Sequence, residues 1–207
     1  MAAEEIKATT DAAGLAALIS RAAGDAGAKA RGVAPVDKWN PPFCGDIDME
    51  IRADGTWFYM GTPIGRPPLV RLFSTVLRKD EDGKTYLVTP AERVGIRVAD
   101  APFVAVEMNA GERDGEPLLT FRTNVGDVVE AGPEHSLRFV IHGENSELKP
   151  YLHVRGRLEA LVSRPVLYEL VERGERLKVD DKTMFCLRSG GVTFPIMPAD
   201  ELDALSR

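Results

Sequence analysis

Hydrophobic positions along this chain change period several times, and each change marks an element. Leu15, Leu18, Ile19 and Ala22 recur at helical spacing, with Thr10 or Asp11 in place to cap the start. Gly24, Gly27 and Gly32 end that helix, so residues 1–34 read as an N-terminal helix and linker. The helix serves packing within the chain or between two copies in a homodimer. Residues 35–45 hold Pro35, Pro41 and Pro42 beside Trp39 and Phe43, too much proline for a helix or a central strand. They form an extended strap over something apolar, with Trp39 and Trp57 both expected to be largely buried, Trp57 beneath the strap.

Ile47, Met49 and Ile51 alternate with Asp46, Asp48, Glu50 and Arg52, which is strand periodicity. Asp54 and Gly55 then predict a two-residue turn, pairing Ile51 with Phe58 and Met49 with Met60. That register puts Trp57 opposite Arg52 and Tyr59 opposite Glu50 on the other face. Pro67 suits a first helical position, and Leu69, Leu72, Phe73, Val76 and Leu77 extend the helix at the expected spacing. Two strands follow at residues 85–89 and 94–98, around Pro90. The middle of the chain reads as strands at 103–108, 118–124 and 137–142, with a weaker one at Val128 and Val129.

The end of the chain repeats an earlier part at an offset of 98 residues. Arg66, Pro67, Leu69, Leu72, Arg78, Asp82, Lys84 and Thr85 meet identical residues from Arg164 to Thr183. The pattern predicts an α+β fold of mainly antiparallel strands. A strand-strand-helix-strand-strand unit is duplicated in it, with 46–99 matching 150–197. The expected division is 35–100 for the first subdomain with its strap and 101–207 for a larger, β-rich second one.

Composition narrows the function classes. The 207 residues are 44% hydrophobic and 28% charged, which excludes a disordered chain or a rod. With 26 basic and 32 acidic residues the net charge is −6, so binding of a nucleic-acid polymer through global charge is disfavoured. No apolar run reaches membrane-span length, and no secretory pattern stands at residues 1–13. Cys44 and Cys186 build no disulfide framework, so the cytoplasm is the expected compartment. No metal ligand set, cofactor motif, P-loop or nucleophile elbow is present.

The string WNPPFCGDIDM at residues 39–49 is one of several that resemble a bacterial family known as domain of unknown function 1285. The others are DGTWFY at 54–59, PIGRP at 63–67, TPAERVGIR at 89–97, APF at 101–103, YLHVR at 151–155 and SGG at 189–191. The resemblance implies two related subdomains, the C-terminal one loosely like a pleckstrin-homology fold. It also implies a ligand site between them for a nucleotide-like molecule and a signalling role.

The candidate chemistry is a set of paired polar residues. Arg66 and Arg164 each precede a proline that opens a helix, where a cation opposes the helix dipole. An anion site would explain both; a tie to Asp46 or Asp48 would serve structure instead. Asp46 and Asp48 share a strand face and fit either acid–base work or a salt-bridged sheet. Arg93 with Arg97, Arg122 with Asn124, and Arg155 with Arg157 are further pairs that would line a basic groove or face solvent. Cys44 is a thiol that His153 reaches only through tertiary contact; otherwise it is a small buried residue. The leading expectation is a non-catalytic sensor that binds a nucleotide-like or other small anionic ligand in the groove between its subdomains. Trp39, Asn40 and Cys44 would form one wall, Arg66, Arg97 or Arg164 the charge, and Asn124 or His153 neutral hydrogen bonds. The alternatives are a hydrolase of a nucleotide-like ester using Asp46 and Asp48, and a protein-interaction scaffold with no small ligand.

Overall fold

The computed structural model describes residues 11–23, 34–142 and 147–205. The glycine breaks predicted at 24, 27 and 32 lie outside those residues. The chain divides into two units: residues up to Pro102 with Gly156–Leu158, and Phe103–Arg155 with the residues from Glu159 onward. Strands dominate, and no helix among the described residues is long and apolar enough to cross a membrane.

In the first unit, helix α1 (Ala12–Ala23) is capped as its sequence predicts. The Asp11 carboxylate accepts the Gly14 N–H at 2.7 Å. Leu15 and Ile19 are fully buried, and α1 packs on helix α2 (Pro67–Thr75). Six strands form one sheet: β1 (Phe43–Ile51), β2 (Trp57–Tyr59), β3 (Thr62–Pro63), β4 (Leu77–Lys79), β5 (Thr85–Val88) and β6 (Arg93–Val98). Their order is β3-β2-β1-β6-β5-β4, and the central pair β1–β6 is parallel.

Two local expectations fail here for identifiable reasons. The β1–β2 register is Ile51↔Trp57, Glu50↔Phe58 and Met49↔Tyr59, one residue from the prediction. The loop holds three residues, not two: Arg52 N–H donates to Thr56 O at 3.0 Å, and Gly55 sits at φ +81°. Asp54 accepts the Thr56 N–H at 2.9 Å and stabilises this wider turn. A one-residue slip exchanges the faces. Trp57 and Tyr59 therefore join Met49 and Ile51 in the core, while Phe58 lies outside under the Arg52 guanidinium, 3.7 Å from its ring centre. Trp57 is buried as expected and stacks on Phe73 of α2, with ring centres 6.1 Å apart. The second failure is α2, which stops at Thr75. The Ser74 and Thr75 hydroxyls donate back to Arg71 O and Leu72 O, and the chain turns into β4 at Leu77.

In the second unit, β7 (Phe103–Arg113), β8 (Glu116–Thr123), β9 (Val128–Glu130), β10 (Leu137–His142), β11 (Glu147–Arg155) and β12 (Leu158–Val162) form another six-stranded sheet. Its order is β10-β11-β12-β7-β8-β9, with β7–β12 parallel. Helix α3 (Arg164–Glu172) follows. A separate three-stranded sheet of β13 (Glu175–Val179), β14 (Lys182–Ser189) and β15 (Val192–Pro198) comes next, and helix α4 (Ala199–Leu205) ends the unit.

The two large sheets have one topology. Numbered along the chain within each set, both run third, second, first, sixth, fifth, fourth. The shared strand order is therefore that of β1–β6 and β7–β12, whereas the expected match of 46–99 with 150–197 departs in the pairing of its last strands. After α2 the strands β4–β6 close onto β1 in the same sheet, whereas after α3 the strands β13–β15 form their own. The Arg-Pro helix starts recur because proline suits the first turn in both places. The antiparallel expectation holds for most pairs, with a parallel pair at the centre of each large sheet.

Candidate functional site

The strap does not lie flat. After a 3₁₀ turn at Val36–Lys38 it is gripped by Arg78 on β4, whose Nη1 donates to Val36 O at 2.8 Å and to Trp39 O at 2.7 Å. The other two nitrogens of Arg78 reach Asp80, with Nε to Oδ1 at 2.6 Å and Nη2 to Oδ2 at 3.3 Å. Arg93 on β6 also donates to Asp80. Burial opposes ionisation of Asp80, but the hydrogen bonds from Arg78 and Arg93 outweigh it and hold its pKa below the ordinary 3.8. The Arg93 guanidinium lies 4.7 Å from the Tyr86 ring centre, and Tyr86 Oη donates to Asp82 Oδ2 at 2.5 Å. That bond, with burial, pushes the Tyr86 phenol up to about 12.

This framework floors an open cleft of about 940 Å³ in the first unit. Trp39 and Asn40, Asp80, Glu81 and Asp82 of the β4–β5 turn, Arg157 and Asp37 line it. Trp39 is half-buried and lines the cleft, contrary to the expectation of a largely buried residue, and Arg78 holds its carbonyl there. Four carboxylates (Asp37, Asp80, Glu81 and Asp82) face three guanidiniums (Arg78, Arg93 and Arg157), so net charge does not draw an anion in. Among the described residues no group of three or more His, Cys, Asp or Glu is placed to hold a metal ion.

Of the predicted site residues, the cleft gathers Trp39 and Asn40. Cys44 is half-buried, with its thiol on Pro42 O at 3.5 Å. Arg66 is the exposed N-cap of α2, and Arg164 is the exposed first residue of α3, with Nε on Tyr168 Oη at 3.3 Å. Arg97 pairs with Asp48 at 2.7 Å on exposed sheet surface, which removes Asp48 from a free carboxylate pair. Asp46 lies over Gly95, where a Cβ would meet its Oδ1 at 2.0 Å. Asn124 Oδ1 accepts the Val104 N–H at 3.0 Å, a structural role at a strand end. His153 Nδ1 is 2.9 Å from Glu134 O, and its ring stacks on His135 at 5.7 Å. Arg122 is bound to Glu107, and Arg155 to Asp127 at 2.5 Å. Reading the sequence missed Arg78 and Asp80. Their spacing of two across the end of β4 was the available signal, but the carbonyls that Arg78 holds are 39 and 42 residues away.

Comparison with known proteins adds the family. Residues 34–101 match the N-terminal domain of the domain of unknown function DUF1285, and residues 102–196 match its C-terminal domain. The chain belongs to the DUF1285 family. A crystal structure of a DUF1285 family protein from Silicibacter pomeroyi DSS-3 is similar, with a TM-score of 0.82 and 45% identity. The match covers 95% of this chain and 100% of that one. A DUF1285 family protein from Shewanella baltica OS155 matches 60% of this chain and 90% of its own, at 25% identity and a TM-score of 0.47. No curated protein matches the chain.

Proposed function

We propose that the protein is a non-catalytic binding module, a cytoplasmic sensor that takes a flat, anionic, nucleotide-like molecule in the Trp39 cleft. The observation that carries this reading is the mounting of Trp39. Its carbonyl is held by an arginine that is itself locked on Asp80, and the half-buried residue lines an open cleft. Arg78 fixes the backbone that carries the aromatic ring, and stacking of a base on an aromatic contributes about 1–3 kcal/mol. The exposed Asn40 amide beside it offers a neutral hydrogen bond.

Arg157 supports the anionic half of the reading. Its 2.7 Å pair with Glu81 is exposed, at 56% and 86% for the two side chains. Exposed pairs contribute only about 0–1 kcal/mol, so a phosphate or carboxylate takes over the guanidinium at small cost. Arg78 and Arg93 act as framework, because both are committed to Asp80. The carboxylates around the cleft keep the expected Kd weak, on the order of 0.1 mM. Calorimetric titration with adenosine and guanosine mono- and diphosphates tests this. Saturable binding that Trp39→Ala abolishes and Arg157→Ala weakens roughly tenfold is expected. Absence of heat with every nucleotide up to about 5 mM, or binding indifferent to both substitutions, contradicts the reading.

A further inference from the structure

The second unit holds a separate cavity of about 780 Å³ that runs beside β9, the last strand of its sheet. The inner edge of β9 pairs with β8 as Thr120↔Glu130, Phe121↔Val129 and Arg122↔Val128. Bonds at both ends identify the residues that face β8. Thr123 N–H donates to Asp127 O at 2.8 Å, and Ala131 N–H donates to Leu119 O at 2.9 Å. Antiparallel ladders alternate, so Asp127, Val129 and Ala131 face inward while the N–H and C=O of Val128 and Glu130 point along the outer edge. Among the described residues these four groups have no partner.

Edge strands are ordinarily guarded by charge, proline or a covering element. Here the side chain at the first open rung is Val128, 67% exposed. The trough beside it joins an apolar strip, Pro117, Leu118 and Pro133, to a strongly acidic rim. Asp114, Glu116, Glu130 and Glu134 stand against Arg113 alone, and Arg113 is already bound to Glu130 by two 2.7 Å bonds.

Val128 and Glu130 on β9 share one sheet face with Glu116 and Leu118 on β8, and we propose that β9 takes an extended peptide as an added strand, with apolar and basic side chains taking turns on that same face. Its backbone would fill the Val128 and Glu130 rungs, its apolar side chains would cover Val128 and Leu118, and its Lys or Arg residues would meet the acidic rim. A second copy of this chain is the poorer occupant, because two acidic troughs would face each other.

The test is amide NMR of the full chain with a seven-residue peptide in which valine and lysine take turns at the odd positions and threonine fills the even ones, so that both kinds of side chain share one face. The expected result is saturable shifts centred on Val128 and Glu130, with hydrogen exchange at those two amides slowed roughly tenfold. The same peptide with glutamate in place of each lysine should fail to bind. Val128→Pro removes one rung at a position where an edge strand tolerates proline, and it should abolish binding. If that variant does not fold, Val128→Lys keeps the rung, places a positive charge beside the peptide and should weaken it. Shifts centred elsewhere overturn the proposal, as does equal binding of the acidic peptide or no saturation up to about 1 mM. Self-association without peptide that Val128→Lys abolishes also overturns it, in favour of a seam between copies.

Discussion

Arg78 uses all three guanidinium nitrogens inside the first unit, two on Asp80 and one shared between Val36 O and Trp39 O. It couples the strap to the sheet, so Arg78→Ala is expected to destabilise the protein by about 2–3 kcal/mol in urea. Arg78→Lys should recover little, since an ammonium cannot hold a carboxylate in a fork and reach two carbonyls as well. Because the folded pKa of Asp80 lies below 3.8, its contribution is complete above the unfolded value and is lost as pH falls below it. Tyr86 works in the opposite sense. Its folded pKa of about 12 lies above the unfolded 10, so its contribution is complete below pH 10 and is lost as pH rises through 12. Phenolate absorbance should show one tyrosine titrating near 12 that Asp82→Asn returns toward 10. At this scale the strap was legible, because proline, tryptophan and asparagine crowd residues 35–45. The Arg78–Asp80–Arg93 knot was not, because an ion pair across strands leaves no local trace.

Hairpins show what periodicity can and cannot specify. Alternation marked residues 46–52 as strand, and β1 contains nearly all of them. The dipeptide Asp54-Gly55 also announced a turn. Whether that turn holds two residues or three depends on the bond from Arg52 N–H to Thr56 O, and this alone decided which aromatic rings entered the core. Ser189 makes a comparable long-range insertion. Its hydroxyl accepts the Leu119 N–H at 2.8 Å and donates to Ala131 O at 2.7 Å, bridging a rung between β8 and the end of β9. Ser189→Ala leaves both backbone groups buried and unpaired, at roughly 1–3 kcal/mol each. Chemical denaturation should register that loss, with the Leu119 amide exchanging faster than its neighbours on β8. Unchanged stability would mean that the rung closes directly once the hydroxyl is gone.

The fold class was legible across the whole molecule, because strand-length alternation with turn signals recurs along most of the chain. The correct repeat was not. Residues 66–85 and 164–183 coincide in sequence, yet the sheets that match are β1–β6 and β7–β12, whose likeness lies in strand order. Residue identities at helix starts report local chemistry, whereas strand order is decided by pairing between segments far apart in the chain.

Trp39 is the proposed ligand-receiving surface, and the protein carries its own control for that proposal. Its two tryptophans give two indole N–H signals, one from Trp39 at the cleft and one from Trp57, 1% exposed and stacked on Phe73. Following both during a nucleotide titration is the most direct measurement. If the proposal holds, the Trp39 signal moves and saturates while the Trp57 signal stays fixed. A Trp39 signal that stays fixed to about 5 mM nucleotide, or two signals that move together, would contradict it.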